Sequence, residues 1–116
     1  MIDAKILVII PAYNEQASIA RVIERVKESV PAADIVVIND GSHDSTSLVA
    51  NESGVKVISL PYNLGIGAAV QTGFILAQAG NYEIAVQVDG DGQHDPAEIE
   101  VLMSRLLADE CDVVVG

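Results

Sequence analysis

Two aspartates, Asp89 and Asp91, flank a single glycine directly after an apolar segment of the sequence. Carboxylates two residues apart on a turn can both face one hard cation, and their oxygen atoms favour Mg²⁺ or Mn²⁺. Gln93 and His94 follow closely enough to contact the same cation or a diphosphate. The alternative is a plain turn, because Asp and Gly tolerate unusual backbone angles. The spacing favours a divalent-metal site.

Several other binding sites are disfavoured by the sequence. His94 stands where the loop of an EF-hand requires glycine, and a strand-like segment precedes that loop. Gly65 and Gly67 supply only half of a dinucleotide fingerprint, because position 70 is valine and the motif follows the third strand. The chain has no Walker phosphate loop and no Cys/His group with zinc spacing. These features argue against calcium-loop, NAD, P-loop and zinc functions.

Three further polar, glycine-rich runs follow apolar segments, at residues 11–15, 39–44 and 63–67. In an open parallel sheet all strands end at the same edge, and ligands bind in the crevice beyond those carboxyl ends. Tyr13 offers an aromatic face to a nucleobase or ribose, with core packing as the alternative. Asp40 either accepts a hydrogen bond from the ring N–H of a base or organises its own turn. We therefore expect one site for a nucleoside diphosphate and a dication.

Strand-like and helix-like segments alternate along the chain and position these runs. Branched apolar runs predict strands at residues 5–10, 34–38, 55–59 and 83–88, with a fifth from residue 112. Helical periodicity predicts helices from Asn14, after Asp44, over residues 65–78, and from Asp95. The alternating order implies a mostly parallel sheet with right-handed crossovers and helices on both faces. The predicted fold class is Rossmann-like α/β.

Two residues mark the expected boundary between the first strand and the first helix. Pro11 predicts the end of the first strand, because proline lacks a backbone N–H. Asn14 is the predicted N-cap of the first helix, with Glu15 near its positive end.

Composition limits the class of protein. The 116 residues form one domain, and the net charge of −11 disfavours contact with a nucleic-acid backbone. Cys111 is the single cysteine, so no internal disulfide forms and a reducing, cytoplasmic location is expected. No apolar segment approaches the ~20 residues of a membrane span. Because the sequence ends within the fifth predicted strand, we expect a truncated domain.

Residues 10–15, 38–46, 63–68 and 89–96 together resemble the inverting family-two glycosyltransferases, with particular similarity to the polyprenyl-phosphate (dolichyl-phosphate mannose synthase-like) branch. The four motifs occur in the family's order and span nearly the whole chain. The resemblance implies a GT-A fold, in which the amino-terminal half binds a nucleotide-sugar donor. Residues 1–116 would be that donor-binding part, and the carboxyl-terminal half of such enzymes binds the acceptor.

The resemblance also assigns roles to individual residues. It implies nucleotide contacts at Pro11, Tyr13, Glu15, Asp40, Gly65, Gly67 and Asp89. It implies Mg²⁺ or Mn²⁺ ligands at Asp89, Asp91 and Gln93. No residue of this chain matches a general base, which we expect beyond Gly116.

The leading hypothesis is a metal-dependent glycosyltransferase. It would transfer a sugar with inversion from a GDP-mannose- or UDP-glucose-type donor to a polyprenyl or dolichyl phosphate or a saccharide. The unfinished sheet edge would allow pairing with a second copy, and a missing C-terminal part would allow peripheral attachment to the cytoplasmic face of a membrane.

Three alternatives remain open from the sequence. A nucleotidyltransferase would need a Gly- and Lys-rich loop after the first strand, which residues 11–15 do not form. A receiver-like regulatory module would need an acidic pair there, which only Glu15 matches even loosely. A non-catalytic fragment that binds a nucleotide or a metal is the third.

Overall fold

The computed structural model describes residues 5–90 and 113–115, which form an α/β fold with helices on both faces of one sheet. The strands are β1 (Ile6–Ala12), β2 (Asp34–Asn39), β3 (Lys56–Ser59), β4 (Ile84–Gln87) and β5 (Val113–Val115). The helices in the described part are α1 (Ile19–Ser29), α2 (Thr46–Glu52) and α3 (Ile66–Ala79). All strand pairs are parallel, in the order β3-β2-β1-β4-β5. The predicted sheet is confirmed.

The central strand β1 is buried along its whole length, because its side chains alternate between two helical layers. Val8 packs in a cluster with Ile23 of α1, on the face that α1 and α2 cover. Ile9 packs on the opposite face with Ala69 of α3. This double burial explains why the first strand reads as a continuous apolar run instead of an alternating one.

Helix α3 lies close to the sheet because it presents small residues to β1. A Cβ atom placed on Gly73 would lie 2.4 Å from Cγ2 of Ile9. Ala69 and Ala77 of the same helix are also buried. The small residues therefore permit close packing of α3 on the sheet, at a cost of ~1 kcal/mol per glycine in helix propensity.

The first strand continues to Ala12, so the prediction that it ends at Pro11 was wrong. The carbonyl of Ala12 accepts a hydrogen bond from the backbone N–H of Asp40 at 2.9 Å, on the β2 side. Backbone groups alternate in direction along a strand, so Pro11 faces β4. The β1–β4 ladder ends at Ile9, two residues earlier, so the missing N–H of Pro11 costs no ladder hydrogen bond.

Helix α1 begins at Ile19, and the prediction of Asn14 as its N-cap was wrong. Asn14 has φ 54°, a left-handed conformation that asparagine adopts more readily than most residues. Its side-chain oxygen accepts a hydrogen bond from the backbone N–H of His43 at 2.9 Å. Asn14 therefore holds two loops together, and Ser18 occupies the N-cap position.

The other predicted boundaries agree closely with the structure. Strands β2, β3 and β4 and helix α3 each begin and end within one residue of their predicted limits, and β5 lies where the fifth strand was expected. The helix predicted from Asp95, together with Cys111, lies outside the described residues. No helix in the described ranges has both the length and the hydropathy of a membrane span.

A concavity of about 690 Å³ lies at the amino edge of the sheet, where the strands begin. Its lining includes Lys5, Asp34, Gly54 and Tyr82. The Tyr82 hydroxyl donates a hydrogen bond to Asp34 Oδ2 at 2.6 Å, and this bond, with partial desolvation and the nearby negative charge, raises the pKa of Tyr82 to about 12. Lys5 Nζ donates to the Gly80 carbonyl at 2.6 Å and lies 4.5 Å from the centroid of the Tyr82 ring.

Candidate functional site

The four predicted runs meet at the carboxyl edge of the sheet in one cleft of about 260 Å³. Six of the predicted nucleotide contacts line it: Pro11, Tyr13, Glu15, Asp40, Gly65 and Asp89. Five lining residues were not predicted: Ala12, Asn63, Ile66, Ala69 and Gly90. The structure thus brings the strand exits together as the parallel topology required, while contact of these residues with a nucleotide stays a prediction.

Of the predicted site residues that the structure describes, one does not line the cleft. Gly67 is absent from its lining, and a Cβ atom placed there would meet nothing within 4 Å. The sequence could not separate Gly67 from Gly65, because the face of α3 that each occupies depends on where the helix begins. Asp91 and Gln93 lie outside the described residues.

The loops after β1 and β2 are joined by reciprocal hydrogen bonds. The backbone N–H of Asn14 donates to Ser42 Oγ at 2.9 Å, and the backbone N–H of His43 donates back to Asn14 Oδ1. Two residues later, the backbone N–H of Ser45 donates to Gln16 Oε1 at 2.8 Å. Each loop therefore fixes the other, and the segment that carries Tyr13 and Glu15 is held from the β2 side.

Thr46, fully buried at the start of α2, anchors the same pair of loops. Its Oγ1 accepts a hydrogen bond from the backbone N–H of Glu15 at 2.8 Å and donates to the carboxylate of Asp44. Desolvation tends to raise the pKa of Asp44, but hydrogen bonds from Thr46 and Gln16 outweigh it and leave that pKa below its ordinary value. The loop is thus organised around a charged carboxylate.

Asp40, only 3% exposed, organises the loop after β3. Its Oδ1 accepts a hydrogen bond from the backbone N–H of Leu64 at 2.8 Å. Its Oδ2 accepts from the backbone N–H of Gly65 at 3.0 Å and from Asn63 Nδ2 at 3.2 Å. Neither sequence interpretation of Asp40, a base contact or a brace for its own turn, anticipated this partner loop. The carboxylate lines the cleft and also sets the start of α3.

Gly41 lets the loops after β2 and β3 touch. It has φ +70°, in the left-handed region that favours glycine. A Cβ atom at this position would lie 2.3 Å from the backbone carbon of Tyr62 and 2.4 Å from the backbone nitrogen of Asn63. No other residue fits between these two backbones without moving one of them.

The segment after β4 lies directly against the end of β1. A Cβ atom on Gly90 would be 3.2 Å from both Ala12 Cβ and the Pro11 carbonyl oxygen, so this glycine allows a close approach. The Ser18 hydroxyl lies 2.7 Å from the Gly90 carbonyl oxygen. Gly90 therefore lets the segment after β4 lie against the end of β1.

Asp89 is the only predicted metal ligand that the structure describes. Its carboxylate lines the cleft and accepts a hydrogen bond from Gln87 Nε2 at 3.2 Å. A carboxylate oxygen is the donor type that Mg²⁺ and Mn²⁺ prefer, so Asp89 fits a hard dication. Among residues 5–90 and 113–115, no group of three or more His, Cys, Asp or Glu side chains is placed to hold a metal ion. The complete ligand set stays a prediction.

Two cleft residues were missed because single-sequence patterns do not show their partners. Asn63 stands inside a run that the sequence singled out, but its bond to Asp40 spans 23 positions. Ile66 lines the cleft from the first turn of α3 and is 61% exposed. It too lies in the run 63–67, but an apolar residue in a helical pattern is normally assigned to the core, so it was not named as a site residue.

Comparison with known proteins identifies the family. The model of glycosyl transferase family 2 matches residues 7–116. Protein RfbJ of Shigella flexneri is 40% identical over 96% of this chain and 83% of its own length. The polyprenol monophosphomannose synthase of Mycolicibacterium smegmatis is 34% identical over 95% of this chain. The undecaprenyl-phosphate mannosyltransferase of Micrococcus luteus is 31% identical over 97%. The chain spans only 43% and 47% of the last two proteins.

Solved structures of a glycosyl-transferring enzyme superpose on this chain. The glucosyl-3-phosphoglycerate synthase of Mycobacterium tuberculosis, in complex with Mn²⁺, UDP and glucosyl-3-phosphoglycerate, superposes with a TM-score of 0.74 at 30% identity, over 90% of this chain and 40% of that one. The same synthase with Mn²⁺ and UDP-glucose gives a TM-score of 0.75 over 93% of this chain and 41% of that one. The GT-A fold and the glycosyltransferase prediction are confirmed, which removes the nucleotidyltransferase and receiver alternatives. The chain belongs to glycosyl transferase family 2.

Proposed function

We propose that this chain forms the nucleotide-sugar site of a metal-dependent glycosyltransferase with a lipid-phosphate or saccharide acceptor. The observation that carries the proposal is the convergence of residues from four strand exits, Pro11, Asp40, Gly65 and Asp89 among them, in one cleft. The UDP-glucose and Mn²⁺ bound by the mycobacterial synthase support the donor class. The names of the polyprenyl-phosphate relatives support the acceptor class.

The charge of the cleft supports the requirement for a metal. Glu15, Asp40 and Asp89 line it, and among its described lining residues none is Lys or Arg. A diphosphate placed 4 Å from a carboxylate is repelled by about 4 kcal/mol per pair of unit charges at an effective dielectric of about 20. A donor diphosphate therefore needs a cation to enter, and a divalent ion at Asp89 would supply it.

The part of the cleft that Tyr13 and Ile66 line suits an aromatic base. Tyr13 is 41% exposed although it follows the buried strand β1, so its ring is not taken up by the core. Ile66 stands in the same cleft on α3. In the proposed complex the base lies against these apolar surfaces, and the diphosphate extends toward Asp89.

The proposed reaction is a substitution at the anomeric carbon of the sugar. The acceptor oxygen forms the new bond to that carbon from the face opposite the diphosphate, and the bond to the diphosphate oxygen breaks, which inverts the configuration. A bound divalent cation would neutralise the charge that develops on the departing diphosphate. A phosphate acceptor attacks through an oxygen that is already ionised. A hydroxyl acceptor would pass its proton to a general base.

A lipid-phosphate acceptor would bring the protein to a membrane surface. We therefore include peripheral attachment at the cytoplasmic face in the proposal, and pairing with a second copy as a further expectation. Flotation of the full-length protein with liposomes that contain undecaprenyl phosphate tests the attachment. Recovery of all the protein away from the lipid would contradict it.

Titration calorimetry on the full-length protein tests the donor site. We expect binding of GDP or UDP that requires Mn²⁺ and disappears with EDTA, and no comparable binding of ADP. Asp89→Asn should weaken Mn²⁺-dependent binding by at least about tenfold, because it removes one charged oxygen ligand. Asp34→Asn, the same substitution at the amino edge, is the matched control and should leave binding unchanged.

Two results would contradict the donor-site proposal. One is a folded protein that binds neither nucleotide in the presence of Mn²⁺. The other is nucleotide binding that Mn²⁺ and Asp89→Asn leave unaltered, which would indicate a non-catalytic nucleotide-binding fragment.

A further inference from the structure

Ser18 was not a predicted site residue, and its side chain connects the start of helix α1 to Gly90 in the segment after β4. We propose that Ser18 is a positioning residue for the divalent-metal site: its hydroxyl holds the Gly90 carbonyl and so fixes the peptide between Asp89 and Asp91. The inference rests on the proposed function, since the metal is part of that proposal.

Ser18 occupies the N-cap position of α1, but its side chain does not cap the helix. Serine at an N-cap ordinarily accepts a hydrogen bond from a backbone N–H of the first helical turn, a contact worth about 1 kcal/mol. In α1 the Ser18 side chain makes no such bond. Its Oγ lies instead 2.7 Å from the carbonyl oxygen of Gly90, a residue 72 positions away. The local stabilisation is given up for a long-range contact.

The hydroxyl proton has one best acceptor. Besides the Gly90 carbonyl, the Ser18 Oγ lies 3.1 Å from Glu15 Oε2 and 3.5 Å from the Glu15 carbonyl oxygen. A hydroxyl carries a single proton, and the shortest of the three contacts is the one to Gly90. Ser18 therefore donates its hydroxyl proton to the Gly90 carbonyl.

Gly90 is held from a second side as well. It is buried, and the closeness of Ala12 and the Pro11 carbonyl leaves no space for a Cβ atom without a shift. Contact with β1 thus limits how far the Gly90 peptide can move, and the Ser18 bond limits how it can rotate. Because Gly90 directly follows Asp89, these contacts fix the backbone beside the Asp89 carboxylate, which lines the cleft.

Loss of the Ser18–Gly90 hydrogen bond should therefore weaken metal binding. Without it, the buried Gly90 carbonyl lacks this donor and its peptide can rotate. Residues that orient metal ligands commonly change metal affinity by about 10- to 100-fold when they are replaced. We expect the lower end, about tenfold, because the contact with β1 remains.

The test uses four variants of the full-length protein and follows Mn²⁺ binding by electron paramagnetic resonance, in the presence of whichever of GDP or UDP binds. Ser18→Ala should raise the Mn²⁺ dissociation constant about tenfold, and Ser18→Thr, which keeps the hydroxyl, should restore it. Ser53→Ala is the matched control, because it removes a serine hydroxyl bonded to the Val49 carbonyl at the amino edge. It should leave Mn²⁺ affinity unchanged.

Ser18→Gly separates positioning from capping. Glycine is a good N-cap residue, so a capping role predicts wild-type metal affinity and stability for this variant. The positioning role predicts the same tenfold loss of Mn²⁺ affinity as Ser18→Ala, and Ser18→Gly also serves if the alanine variant fails to fold. Wild-type Mn²⁺ affinity in a folded Ser18→Ala or Ser18→Gly protein overturns the inference about Ser18 alone. A wild-type protein that binds no Mn²⁺ with either nucleotide overturns the proposed function and this inference together.

Discussion

The two edges of the parallel sheet are held together in different ways. At the carboxyl edge, side chains of one loop bond to another loop: Asp40 holds the Leu64 and Gly65 backbones, and Asn14 exchanges hydrogen bonds with the loop after β2. At the amino edge, lysines instead cap helix ends, as Lys5 does at the carbonyl of Gly80 and Lys27 at that of Ser53. The carboxyl edge is held by hydrogen bonds between loops, whereas the amino edge is held by side-chain contacts to helix ends and to strand residues.

The edge with the larger cavity is not the edge where the predicted site residues converge. The amino-edge concavity of about 690 Å³ is larger than the cleft of about 260 Å³, yet none of the predicted site residues within residues 5–90 lines it. The smaller cleft gathers side chains from four strand exits. Convergence of polar groups from separate segments therefore identifies the site better than volume does. Substitutions should also propagate across the carboxyl edge and stay local at the amino edge.

The sharpest contrast is expected from one substitution made at two glycines with positive φ. Gly41 (φ +70°) lies at the carboxyl edge and Gly54 (φ +81°) at the amino edge. A Cβ atom on Gly54 meets nothing within 4 Å, whereas on Gly41 it overlaps the backbone of residues 62 and 63. Gly54→Ala should cost about 1 to 2 kcal/mol of backbone strain. Gly41→Ala should cost about 3 to 4 kcal/mol, since overlap adds to the strain.

Urea unfolding measures both free energies, and calorimetry with Mn²⁺ and the nucleotide that binds measures function. Gly41→Ala should abolish nucleotide binding because the loop after β3 has to move, whereas Gly54→Ala should retain it. Equal destabilisation by the two substitutions would remove the distinction between the edges.

The next largest effect concerns two aspartates. Asp40→Asn replaces a carboxylate oxygen by an NH₂ group that faces the donors of the loop after β3. We expect a loss of about 2 to 3 kcal/mol, typical of a buried charge-assisted hydrogen bond, with weaker nucleotide binding. Asp34→Asn alters one exposed contact with Tyr82 and should cost about 0.5 kcal/mol with no effect on binding. A stable Asp40→Asn protein would show that the loops are fixed by something other than this carboxylate.

The sequence predicted the elements well because their signals are local. The run at residues 6–10 is apolar at every position since both faces of β1 are buried. The carboxyl-edge location of the site followed from topology alone, because all strands of a parallel sheet end together.

The errors and omissions concern contacts between distant segments. Asn14 carries the composition of a helix cap, but its backbone is left-handed and its side chain bonds to His43, 29 positions away. Asp40 was placed at a strand end correctly, yet its partners at residues 63–65 become neighbours only after β3 pairs with β2. Local preferences cannot encode which loops meet, so loop partners required the folded chain.

The smallest expected effect tests whether the amino edge acts locally. Folded Tyr82 has a pKa of about 12 against 10 for the free side chain, so the folded state binds its proton more tightly. The stabilisation from its bond to Asp34 is therefore complete below pH 10 and declines as the pH rises to about 12. Tyr82→Phe should cost about 0.5 kcal/mol at neutral pH, since the lost hydrogen bond is exposed, and should flatten the decline between those two pH values. Urea unfolding across this range checks both effects. Nucleotide affinity should not change, because Tyr82 and Asp34 lie at the amino edge and neither lines the cleft. A Tyr82→Phe protein with impaired nucleotide binding would mean that the two edges are coupled through β1 and β2.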